Sequence, residues 1–193
     1  KTTEIEGDVM RPFHIALVVL AALVLSGGLL LSASAGTPPD TDTIRIWDNC
    51  DPPTFNATFG AGTCLPGEHG TEKFSIFIGE VAADRIAGAW RFGSQAYTIA
   101  SGDSTALDNH GGEVHTFTTV AKFGGGFVPV LNQLSGNPVP APECLKSPSA
   151  SNIFVEAGTV EIGPTAGSSI LPVGKTRAQC CVHPWMRTVI TVK

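Results

Sequence analysis

The chain has 193 residues, 12 basic and 17 acidic side chains and a formal net charge of −5. Its basic residues form no block or stripe, which removes the electrostatic footprint of a nucleic-acid binder. Hydrophobic residues make up 42% of the chain, enough for one packed domain rather than a disordered tail.

The polar residues 1–9 precede Met10, a natural start, followed by Arg11 and an apolar run from Ile15 to Leu31 that is interrupted at Ser26, Gly27 and Gly28. Ala33-Ser34-Ala35 ends it with small residues. A basic start, an apolar centre and an A-x-A end form a secretory signal peptide. Residues 1–35 are therefore expected to be removed, leaving Gly36 first. The alternative is an uncleaved anchor, the one circumstance in which the membrane is a partner. In both cases the remainder is exported, to a periplasmic, cell-surface or secreted location.

Residues 36–42 read as a linker. Thr43–Trp47 alternates like a short strand, and Cys50 to Cys64 reads as a Pro/Gly-rich loop bounded by cysteines, with Asn56-Ala57-Thr58 a glycosylation sequon. Phe74, Phe77, Ile78, Val81 and Ala82 fall on one face of a 3.6-residue period, which predicts a helix over 72–84 capped by Thr71. Glu68 and His69 follow a Pro-Gly turn and are read as solvated.

From Ala89 onward short β-prone runs alternate with turn residues: 90–92, 97–99, 105–107, 114–120, 153–155, 159–162, 169–171 and 188–192. That spacing predicts a sandwich or small barrel. The stretch 123–150 carries three consecutive glycines and five prolines. A loop of that length is expected to be functional or tied down.

The chemistry concentrates in Cys180-Cys181-Val182-His183-Pro184-Trp185-Met186. A thiolate, an imidazole and a thioether recur with two residues between each pair. Soft sulfur ligands with imidazole favour copper, and a second histidine would complete a His₂Cys set with a weak axial Met. Met186 is the only methionine beyond the leader. The second histidine is expected to be His115, at the head of a strand, rather than His110 in a turn-like Asn-His-Gly-Gly context. Zinc could use the same His₂Cys set but would leave the methionine idle.

The block from Trp90 to Val192 resembles the cupredoxins, the type 1 blue-copper proteins. The resemblance rests on Trp90-Arg91-Phe92, on Tyr97-Thr98-Ile99, on the run from Gly102 to Asn109, on His115, and on the closing segment 174–192 with an amicyanin-like C-x-x-H-P-x-M loop. It implies an all-β Greek-key sandwich, here with one N-terminal helical elaboration: residues 36–88 as an extension and 89–193 as the domain. It further implies one copper ion held by His115, Cys180, His183 and Met186. Ala178 and Thr116 depart from the family pattern. Thr116 is expected to reach the Cys180 sulfur through its hydroxyl or its backbone. His183 is expected to present an exposed ring edge as an electron exit, collared by Pro184 and Trp185.

Cys180 rather than Cys181 keeps the spacing to His183, and adjacent side chains on a strand face opposite ways. Four cysteines remain, which allow three pairings. Cys50–Cys64 and Cys144–Cys181 are favoured. A vicinal Cys180–Cys181 bridge is the strained alternative. A nearly closed Cys/His₂/Met site suits one-electron transfer between extracytoplasmic redox proteins rather than enzymatic bond-making. Copper delivery or sequestration, or an accessory role in a larger redox enzyme, are the other readings.

Overall fold

Two β-sheets face each other. The computed structural model describes residues 41–68, 70–146 and 149–193; the leader, its cleavage site, most of the linker and His69 lie outside them. The first sheet has the order β2-β1-β4-β7 and the second β3-β9-β8-β5-β6. The strands are β1 (Thr41–Trp47), β2 (Arg91–Phe92), β3 (Ala96–Ile99), β4 (Ser104–Asn109), β5 (His115–Val120), β6 (Asn152–Val155), β7 (Val160–Ile162), β8 (Gly174–Gln179) and β9 (Arg187–Val192). This is the expected all-β sandwich. Both sheets are mixed, because β1 runs parallel to β4 and β3 parallel to β9. The run 169–171, expected as a strand, lies in a turn-rich connection instead.

Alternate residues of β4 and β9 are buried, so each lays one face on the core, where Ile44, Ile46, Leu107, Phe117, Val155 and Ile190 meet. Strand β5 is different. Five of its six residues are buried, on both faces. Its inward hydroxyls therefore need partners: the Thr116 and Thr118 hydroxyls lie 3.0 Å apart, and Thr118 Oγ1 donates to Asn152 Oδ1 at 2.9 Å. A buried hydroxyl left without a partner would carry its full desolvation cost.

The boundary expected at residue 89 falls between β1 and β2, which pair in one sheet. Strand β1, assigned to the extension, is an inner strand of the first sheet between β2 and β4. Three short helices occur among the described residues, not one: α1 (Pro52–Phe59), α2 (Phe74–Asp84) and α3 (Pro129–Leu134). Helix α2 matches the predicted periodicity, but Lys73, not Thr71, is its N-cap, and it makes no side-chain cap bond. Helix α1 lies where a loop was expected. Asp51 caps it by accepting from Thr54 N, and Pro52 and Pro53 occupy its first turn, where the missing N–H costs nothing. The Asn56 side-chain amide of the sequon is already engaged, donating to Cys64 O and accepting from Cys64 N, both at 2.9 Å.

The favoured disulfides are both formed, Cys50–Cys64 and Cys144–Cys181. The second pins the long Gly/Pro segment beside the ligand loop. Cys180 is the free cysteine, and it is buried.

Glu72, just before α2, sets a pH dependence. Burial, and then the charge of Glu80, push its carboxyl up from the ordinary 4.5 to about 7, and its Oε1 is buried without a hydrogen-bond partner. Between those values the folded state holds a proton that the unfolded chain has released, so stability falls as pH rises through that window. Glu72→Gln is expected to remove the decline and to raise stability at about pH 8 by ~1 kcal/mol, the full linkage value being discounted for solvent screening at a partly exposed group. Urea unfolding at about pH 5 and pH 8 checks it; an equal effect of the substitution at both would refute the assignment.

Candidate metal centre

Strand β5 delivers His115 and the β8–β9 connection delivers Cys180 and His183. One ligand atom from each lies within 4.8 Å of those of the other two. All three are buried: Cys180 and His115 at 0% exposure and His183 at 2%. The connection is a tight turn closed by two backbone bonds, Cys180 N to Met186 O at 3.0 Å and Met186 N to His183 O at 2.9 Å. It therefore holds Cys180, His183 and the 1%-exposed Met186 in one short arc, which accounts for the two-residue spacing.

The electrostatics suit a cation. Burial pushes the Cys180 thiol up, but the His115 and His183 imidazoles override it and hold the thiol well below its ordinary value. A thiolate is the form that binds a metal. The Cys180 Sγ lies 3.7 Å from His115 Nδ1 and accepts from the backbone N–H of Thr116 at 3.4 Å. The thiolate contact of Thr116 is thus made by its backbone. Its hydroxyl instead accepts from Cys181 N at 2.7 Å, fixing the residue after the thiolate. His183 Nδ1 is buried with no hydrogen-bond partner. A buried ring nitrogen left open beside a thiolate is what a bound soft cation would satisfy.

The ring of His115 is held from behind by Asp48, whose Oδ2 meets Nε2 at 2.8 Å with both side chains fully buried. Asp48 also accepts from three backbone N–H groups, those of Cys50 (3.1 Å), Gly112 (3.0 Å) and Glu113 (3.0 Å). Burial works against its charge, but His115 and these donors prevail and hold the carboxyl below its ordinary value. Burial likewise opposes the His115 charge, yet Asp48 and the Cys180 thiolate raise it to about 10. Glu113 stands behind the second histidine: its Oε2 lies 3.6 Å from His183 Nε2, longer than a hydrogen bond, and accepts from Trp90 Nε1 at 2.6 Å. Burial pushes the Glu113 carboxyl up.

A carboxylate hydrogen-bonded behind an imidazole, as Asp48 is behind His115, orients the ring and selects its tautomer. Neither Asp48 nor Glu113 was foreseen. The two also approach Cys50, but that cysteine is in a disulfide and offers no thiolate.

His110, the rival ligand, is held elsewhere. It stacks on Trp47 at 4.4 Å and is bridged by Asp108 (2.8 Å) and Glu68 (3.1 Å). Glu68, read as merely solvated, is therefore the partner of His110.

The expected exposed edge of His183 is not present. Phe77 of α2 meets its ring edge-on at 6.1 Å, with Trp185 at 5.5 Å and Trp90 at 6.3 Å. The aromatic residues carried by the chain before β2 cover it, an arrangement that no spacing near His183 announces. Pro184 is buried and Trp185 is half-buried, its Nε1 donating to Ala87 O at 3.2 Å.

No protein-family model matches the sequence, and a search of curated proteins finds no match. Among solved structures, a purple cupredoxin from Nitrosopumilus maritimus is similar at 16% identity and TM-score 0.37, over 60% of this chain and 92% of that one. Two Cu(I) amicyanin variants are similar at 13% and 12% identity, with TM-scores of 0.32 and 0.33, over 53% and 58% of this chain and 73% and 86% of theirs.

Proposed function

We propose that this chain is a mononuclear copper protein of the cupredoxin type, carrying single electrons between redox proteins outside the cytoplasm. The observation that carries the reading is the buried, free Cys180 sulfur clustered with His115 and His183, with one imidazole nitrogen left open. These three would be the strong ligands and Met186 the weak axial one. When bound, the metal would supply a one-electron couple.

The protein's own part is to keep the donor set rigid and dry. Asp48 holds His115, the Thr116 amide donates to the thiolate, and the Thr116 hydroxyl fixes Cys181. Full burial of the three ligands favours a carrier over a delivery protein, because handing the ion to an acceptor needs an open ligand face. It also favours electron transfer over substrate chemistry. With His183 covered, Trp185 packs against its ring and is half-buried, which supports Trp185 as the electron exit. The two disulfides suit an oxidising, exported location.

The test is the visible and electron-paramagnetic spectrum of the Cu(II)-loaded protein beside Cys180→Ser and Cys181→Ser. An intense thiolate-to-copper band is expected, lost in Cys180→Ser. A colourless protein, or a band that survives Cys180→Ser and needs Cys181, would overturn the reading.

A further inference from the structure

Helix α2, whose Phe77 covers His183, also faces α1 and α3. Between them lies a cleft of about 440 Å³, within the size range of small-molecule sites. Phe55 and Phe59 of α1 and Phe74 of α2 line one part of it, and Val128, Val130 and Leu131 at α3 another. Its depth is readable from burial. Phe59 and Val130 at the mouth are 58% and 56% exposed, whereas Phe55, Glu113 and His183 are 1%, 8% and 2% exposed. The polar side chains at the deep end are Glu113 and His183; the remaining polar lining residue is Thr63. Among the described residues, no lysine or arginine lines the cleft.

That distribution selects a ligand class. Phenylalanine rings and branched aliphatic side chains favour a flat apolar body. The absence of a cation, with a carboxyl at the deep end, disfavours an anion. Glu113 directs Oε2 to Trp90 and toward His183, and neither contact uses Oε1, so a hydroxyl donor arriving at the deep end finds an acceptor.

We propose that this cleft is a binding site for an uncharged planar hydroxyaromatic molecule, seated with its hydroxyl toward Glu113 and its rings among Phe55, Phe59 and Phe74. The site stands on these contacts alone and does not need a metal in the neighbouring centre. Its consequence does concern that centre: the occupant would lie against the ring of His183 and cover the remaining approach to it, leaving Trp185 as the path to partners.

The test is titration of the full, metal-free protein with 2-naphthol by calorimetry, beside the anionic naphthalene-1-sulfonate. Saturable one-to-one binding of 2-naphthol is expected, at least tenfold tighter than that of the sulfonate. Val130→Trp, a change at an exposed mouth position that leaves the core untouched, is expected to weaken 2-naphthol at least tenfold while far-ultraviolet circular dichroism stays unchanged. Absence of saturable binding, equal affinity for the two probes, or unaltered binding in folded Val130→Trp would each overturn the proposal. So would sedimentation showing that a second copy of the chain covers the cleft, as a dimer that Val130→Trp dissociates. None of these readouts depends on copper, so failure here and failure of the copper reading are distinguishable.

Discussion

Replacing Asp48 by Ala is expected to be the most damaging single change away from the ligands. The carboxylate accepts from three backbone N–H groups and from His115, all in a buried pocket. Removing one partner of a buried charged pair costs about 3–5 kcal/mol, and the orphaned amides of Gly112, Glu113 and Cys50 add to that. Such a loss approaches the whole stability of an ordinary domain. Asp48→Asn keeps the volume and one acceptor but turns an amide N–H₂ toward donors, so it should lose less stability while still misorienting His115. For that variant copper affinity is expected to fall about 10–100-fold, the usual consequence of losing a group that orients a ligand histidine. Urea unfolding of the metal-free protein and competition with a copper chelator separate the two effects. An Asp48→Ala protein within about 1 kcal/mol of the parent, with unchanged copper affinity, would show that the contact is incidental.

Gly126→Ala is the second. A Cβ on Gly126 would overlap the carbonyl oxygen of Cys181 and stand 2.8 Å from its Cα. These are backbone atoms and cannot swing aside. The same carbonyl accepts from Phe127 N at 2.6 Å, and Cys181 is tied through its disulfide to Cys144. The methyl would therefore act as a wedge between the glycine-rich segment and the residue that follows the thiolate. Overpacking of this kind costs about 1–3 kcal/mol, and here the displacement passes directly to Cys180. A shift in the thiolate-to-copper band is expected together with the lower stability. Gly79→Ala, inside α2 with open space at its Cβ, is the control: it should leave the band unchanged and raise stability by about 0.5–1 kcal/mol, the usual gain on replacing a mid-helix glycine. A Gly126→Ala protein with the parent's spectrum and unfolding midpoint would contradict the close approach.

The candidate ligand loop was legible in the sequence because its geometry is local. Cys180, His183 and Met186 lie within one turn closed by its own backbone bonds, so spacing alone places them together. His115 was legible from its place at the head of a strand, and most strands announced themselves through alternation and flanking turn residues. The two disulfides matched a favoured pairing for a related reason: one closes a short loop, and the other anchors a segment too long to lie free.

What only the tertiary structure decided lies far apart along the chain. Asp48 reaches His115 because β1 runs parallel to β4, which carries its end over the Gly111–Glu113 turn. No pattern around Asp48 distinguishes it from a solvated loop aspartate. The glycines at 111 and 112 read only as turn formers, yet a Cβ at 111 would strike Asp48, and one at 112 the Leu65 carbonyl and the Cys50 sulfur. Helices α1 and α3 have eight and six residues, too few to establish a period, and both begin with proline in segments that resemble loops. Helix α2 was visible in its periodicity, but where its apolar face would settle was not. Hydrophobic periodicity specifies that a face is buried and leaves its partner open. Here that partner includes the ring of His183, and the choice turned an expected exposed ligand edge into a buried one.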